Sequence, residues 1–223
     1  MKHNHKGFTL IELMIAMAIS LIVMAGIYSA YRSQQRSHDI QIQVAAMQQN
    51  LRAAMFYMER EIRMAGCDPT AGAAPAAAII SAQANSIEFR SDVRGNAVGS
   101  EPDGDTNDDG EHIEYRIYDA LGDGTNDLGR DDKNGTGLDA IAQNIEALDF
   151  VYLDRNGNVT AVLANIRAVE ITLVARAARP DMGRYINNNV YTNKQGTVVL
   201  PAQNDNYRRK SLTVHIDCRN LGI

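Results

Sequence analysis

Cysteine is scarce in this chain of 223 residues. Cys67 and Cys218 are too few for a disulfide framework or a cysteine-based zinc site. The fold must therefore rest on a core, which a folded part of roughly 150 residues can supply. Metal-spaced histidines are missing too: His3 and His5 lie at the extreme N-terminus, and His38, His112 and His215 stand apart. No serine nucleophile elbow, phosphate loop or dinucleotide fingerprint occurs. The sequence thus reads as a non-enzyme with no organic cofactor. Positive charge is in deficit, with 22 Lys and Arg against 27 Asp and Glu. An acidic surface repels phosphate backbones, so no nucleic acid is expected as a partner. The small basic run Arg208-Arg209-Lys210 beside Tyr207 reads as a solvated strand edge. No internal repeat is present. Helix breakers are nearly absent from residues 8–65, where only Gly26 intervenes, a residue that membrane helices tolerate.

What the N-terminus does have is a long apolar run. Residues 8–30 would form a helix of about 35 Å, enough to cross a hydrocarbon core. Lys2 and Lys6 precede the run, so the positive-inside rule keeps them in the cytoplasm and sends the remainder outward, giving a single pass through the inner membrane. Two features set the run apart from a secretory signal. No suitable small-x-small cleavage site closes it, and it contains the carboxylate Glu12, whose insertion costs on the order of 3 kcal/mol unless it has a partner. Beyond the run, Ile40, Val44, Met47, Leu51, Met55, Met58, Ile62 and Ala65 fall in steps of three and four, which is one helical stripe. Gly66 is placed to cap this helix and Pro69 to stop it, for a total of roughly 87 Å. The stripe is expected to pack on the chain's own sheet rather than form a coiled-coil seam. The wholly apolar half then needs lipid or neighbouring subunits to cover it.

The rest of the chain alternates in the manner of half-buried strands at residues 86–90, 111–118, 147–153, 167–176 and 211–217. Residues 68–84 read as a linker, 154–158 as a turn and 138–146 as a short helix. The expected class is α+β: a long N-terminal helix whose C-terminal half packs on an antiparallel sheet. If that part lies outside the cytoplasm, Cys67 and Cys218 are expected to pair, closing a long loop worth at most about 4–5 kcal/mol. Residues 101–114 place Asp103, Asp105, Asn107, Asp109 and Glu114 in a calcium-loop frame, although Asp108 occupies the position where an EF-hand needs glycine. A frame begun at Asp105 places Gly110 correctly but ends on Arg116. Calcium is the candidate ligand, and solvated acidic turns are the bland alternative. Asp123, Asp127, Asp131 and Asp132 form a second acidic stretch.

The run Gly7-Phe8-Thr9-Leu10-Ile11-Glu12 resembles the leader-peptidase site of type IV prepilins. The resemblance implies that prepilin peptidase cuts the Gly7–Phe8 bond and methylates the new amine of Phe8. Losing residues 1–7 removes Lys2 and Lys6 and shifts the formal charge of −5 by two units, to −7. In a filament the Phe8 amine of one subunit would pair with Glu12 of another. Residues 8–31 would then be the membrane and assembly half of the helix, 32–66 its amphipathic half, and 67–223 a β-rich head. Residues 60–67, 144–152, 166–180, 207–209 and 218–221 resemble PilW-type minor pilins, with the GspJ pseudopilin of type II secretion as the nearest alternative. That likeness implies a low-abundance subunit that joins other major and minor pilins in a priming complex at the tip, first in the inner membrane and then in a cell-surface pilus.

Overall fold

The computed structural model describes residues 7–70, 78–95, 100–133, 135, 137–183 and 185–222. The leader apart from Gly7, and residues 71–77 of the expected linker, lie outside them. One helix, α1 (Leu10–Ile62), belongs to two compact units that divide between Gln43 and Val44. In the first unit, residues 7–39 are all exposed. Its N-terminal portion is long and apolar enough to cross a membrane.

Among the described residues the second unit holds ten strands. They are β1 (Ile79–Ala82), β2 (Ser86–Arg90), β3 (His112–Tyr118), β4 (Asp127–Asp131), β5 (Asp139–Ala142), β6 (Ile145–Leu153), β7 (Ala168–Arg176), β8 (Tyr191–Thr192), β9 (Val198–Leu200) and β10 (Arg209–Asp217). Strands β1 to β5 form one antiparallel meander in chain order. A second antiparallel sheet has the order β10-β7-β6, and β8 and β9 make a separate hairpin. The central strand β7 is buried along nearly its whole length, as its run Ala-Val-Glu-Ile-Thr-Leu-Val-Ala requires. At the junction of the two sheets the Phe150 N–H donates to the Ala84 carbonyl at 2.7 Å.

Within this unit the stripe on α1 behaves as its spacing demands. Met47, Leu51, Ala54, Met55, Met58 and Ile62 are buried, while Phe56 and Tyr57 on the other side of the helix are exposed. The buried face joins one core with Ile87, Phe89, Ile113, Tyr115 and Leu128 of the meander and with Phe150, Ile171 and Ile216 of the smaller sheet. Each large apolar side chain buried this way contributes about 1.5–3 kcal/mol against the entropy of ordering. Polar contacts fix the register. Glu61 accepts from the Tyr115 hydroxyl and from Arg130 Nε at 3.0 Å, tying the last helical turn to β3 and β4. Gly66 turns the chain at φ +79°, and a Cβ there would stand 2.5 Å from Leu221 Cδ2, so glycine is required on both counts.

The short helix expected over residues 138–146 is instead β5 and the start of β6. Asn144 takes a left-handed conformation (φ 58°), with its N–H held by the Asp127 carboxylate at 2.9 Å. A left-handed residue ends any helix, and the open edge of β4 offers Asp139 and Ala140 backbone partners.

Candidate functional site

The residues from Gly7 to Glu12 form the entrance to α1. Gly7 and Phe8 precede the first helical turn and are exposed, with nothing among the described residues within 4 Å of where a Gly7 Cβ would be. A peptide bond in this setting is open to a protease. Thr9 is the N-cap and Glu12 lies three residues on. The Thr9 N–H and hydroxyl both donate to Glu12 Oε2 at 2.8 Å, and the Glu12 N–H donates back to Thr9 Oγ1 at 3.3 Å. This is a capping box, which satisfies backbone donors that would otherwise be orphaned in an apolar medium. The Thr-x-x-Glu spacing carries this signal in the sequence, and within its own subunit Thr9 is a partner for Glu12. Both bonds use Oε2, and Oε1 has no hydrogen-bond partner among the described residues.

Past this entrance the helix offers only hydrocarbon to its surroundings. Leu10, Ile11, Leu13, Met14, Ile15, Met17, Ile19, Leu21 and Ile22 are each more than half exposed. The one hydroxyl among the early turns, on Ser20, donates to its own backbone at Ala16 O (2.7 Å). The polar boundary comes at Tyr28, Tyr31, Arg32 and Gln35. Arg32 donates to the Tyr28 hydroxyl at 3.2 Å and Gln35 to that of Tyr31 at 2.9 Å, amphipathic groups of the kind enriched where membrane helices meet water.

A family profile described as the prokaryotic N-terminal methylation motif matches residues 2–28. The chain carries that methylation motif. No curated protein matches the sequence. Among solved structures, a type IV-like pilin from Thermus thermophilus is similar over 78% of this chain and 97% of that one, at 16% identity and a TM-score of 0.49.

The other sequence candidates fare unevenly. Cys67 and Cys218 are free thiols, so the bond expected between them is not formed. Burial raises both thiols: Cys218 is pushed up to about 12, with Asp217 adding to the effect, and Cys67 also faces the charges of Asp92 and Asp68. Disulfide chemistry starts from a thiolate, which both sites disfavour. The expected calcium frame is also rearranged. Of the carboxylates expected in that frame, Asp103 and Asp105 come together with Asp108 rather than with Asp109 or Glu114 among the described residues. Glu114 is drawn away because it lies on β3, opposite Glu88 and Asp131, where Lys133 Nζ pairs with it. In the second acidic stretch, Asp127 holds the Asn144 N–H, Asp131 pairs with Lys133 and Asp132 with Arg130, so these carboxylates are dispersed.

The run expected as a solvated basic edge is largely neutralised inside the fold. The Arg209 side chain is 1% exposed and is held between Glu146 and Asp205. Arg208 pairs with Asp181 at 2.8 Å and lies over the Tyr185 ring. His112 and His215 each find carboxylates, at Glu88 and at Glu170 with Asp217, rather than one another.

Proposed function

We propose that this chain is a minor pilin of the PilW type, a structural subunit built into a type IV pilus through α1. One observation carries the reading. A single carboxylate, Glu12, is held by Thr9 at the start of an exposed apolar stretch of helix, just after a Gly–Phe bond within the methylation motif.

In this reading prepilin peptidase cuts the exposed Gly7–Phe8 bond and methylates the Phe8 amine. The basic leader stays on the cytoplasmic side, α1 anchors the subunit in the inner membrane, and the β-rich unit faces outward. Lipid covers the apolar helix until neighbouring subunits replace it. Glu12 arrives with Oε2 satisfied by its own helix cap and Oε1 able to accept from the cationic amine of a neighbour's Phe8. Bringing the two together relieves the desolvation of both charges and sets the axial register of one subunit against the next. The chain is the peptidase's substrate and not itself an enzyme. Its work is polymerisation, with the priming complex at the filament tip as its place. A GspJ-like role in secretion would use the same helix, and neighbouring genes for pilus assembly rather than secretion distinguish the two.

The test is mass spectrometry of the mature N-terminus from purified fibres. A chain that begins at N-methylated Phe8 supports the reading. One that begins near residue 27 means ordinary signal-peptide processing and ends it. A Glu12→Ala variant should still be cut but should fall about tenfold or more in fibre incorporation, the scale of one buried charge pair.

A further inference from the structure

The loop between β2 and β3 gathers carboxylates more closely than its own chain accounts for. Asp103, Asp105 and Asp108 each present an oxygen, and these lie within 4.8 Å of one another. Calcium binds oxygens at 2.3–2.6 Å, so ligands on opposite sides of one ion stand about 4.8 Å apart. The trio is therefore spaced for a single ion. Asp92, just after β2, adds an independent sign. It is fully buried, and its Oδ2 accepts the Gly104 N–H at 2.9 Å, which directs the carboxylate into the loop between Asp103 and Asp105. Its Oδ1 is shielded from solvent and has no hydrogen-bond partner among the described residues, and the same holds for Asp108 Oδ2. Two orphaned carboxylate oxygens at one loop are costly unless a cation meets them.

The frame beneath the loop is rigid. Glu111, fully buried, accepts from the Val93 and Arg94 N–H groups at 2.8 and 3.0 Å and from the Asp108 N–H at 3.3 Å. That holds the start and end of the loop together and keeps Glu111 itself out of the ligand set. Arg94 and Arg130 are the nearby counter-charges, each with a guanidinium nitrogen 3.8 Å from where a Gly110 Cβ would be.

We propose that this loop binds one calcium ion through Asp103, Asp105 and Asp108, with Asp92 at its base. Hard carboxylate oxygens without histidine or cysteine suit calcium, which accepts irregular coordination where magnesium demands a near-ideal octahedron.

The experiment uses the full-length chain in detergent micelles, stripped with a chelator and titrated with calcium chloride by calorimetry. Thermal unfolding is followed in parallel with calcium chloride, magnesium chloride or chelator. The expected result is one ion per chain with a dissociation constant of about 0.1–1 mM or tighter, and an unfolding midpoint that rises with calcium more than with magnesium. The Asp105→Asn/Asp108→Asn variant, which keeps side-chain size, should bind at least about tenfold more weakly, whereas Asp154→Asn in a separate turn should bind like the parent. If the double variant does not fold, the parent's calcium-dependent midpoint is the deciding measurement. No heat and no midpoint change in the parent up to about 10 mM calcium overturns the proposal, as does unchanged affinity in a folded double variant.

Discussion

Arg209 shows how far a single residue can depart from what its neighbours in sequence suggest. It sits in the basic run 208–210 yet its guanidinium is buried between Glu146 and Asp205, which take both faces of its donor fork. Removing it strands two carboxylates, so Arg209→Ala should destabilise the fold by about 3–5 kcal/mol in denaturant unfolding of the micellar protein. The effect should depend on pH. Hydrogen bonds from Arg209 hold Asp205 below the usual carboxylate range, against the opposing pull of burial and with help from the Tyr207 N–H. A carboxylate depressed in the folded state stabilises above its unfolded pKa and loses that contribution as pH falls through the folded value. The gap between the parent and Arg209→Ala should therefore be full at neutral pH and shrink below about pH 4. A gap that stays constant down to pH 2 would remove Asp205 from the account. Glu12 is the other residue whose context matters: Thr9 supplies part of what hydrocarbon withholds.

At the scale of elements, α1 has one job on each side in its C-terminal stretch. Met58 is fully buried in the core, and Phe56, two residues earlier, is 63% exposed. Met58→Ala should cost about 2–5 kcal/mol, the removed contacts plus the cavity left behind. Phe56→Ala should stay within about 0.5 kcal/mol. Equal costs in equilibrium unfolding would mean that the observed face is not the packed one. The helix and its stripe were readable because a 3.6-residue period needs only the residues of one segment. The strongest strands, β2, β3, β6, β7 and β10, were readable for the same reason. Strand β4, Asp-Leu-Gly-Arg-Asp, gives no such signal. It is a strand because β3 and β5 bond to either side of it, and Gly129 there leaves room for the Tyr118 ring, 2.6 Å from where a Cβ would be.

The whole chain joins a unit that keeps no apolar surface to itself with one that keeps a core of its own. A chain beginning at Val44 retains the buried helical face, both sheets and the hairpin. It should fold cooperatively and stay monodisperse without detergent, by circular dichroism and light scattering. The full chain should need detergent, because the exposed run before Gln43 forms an apolar surface far larger than soluble monomers carry. If the shorter chain aggregates as readily as the full one, the apolar run is not what calls for lipid or neighbours.

The amino-acid order alone determined the entrance motif, the apolar run, the stripe and its glycine stop, since each depends on residues close in sequence acting through a fixed helical or strand period. Tertiary structure decided which acids meet. It brought Asp108 rather than Glu114 to the loop, buried Arg209 between Glu146 and Asp205, left Cys67 and Cys218 as thiols and made β5 a strand. Those outcomes depend on strand register and on the direction a turn gives a side chain, where a shift of one residue exchanges the inner face for the outer.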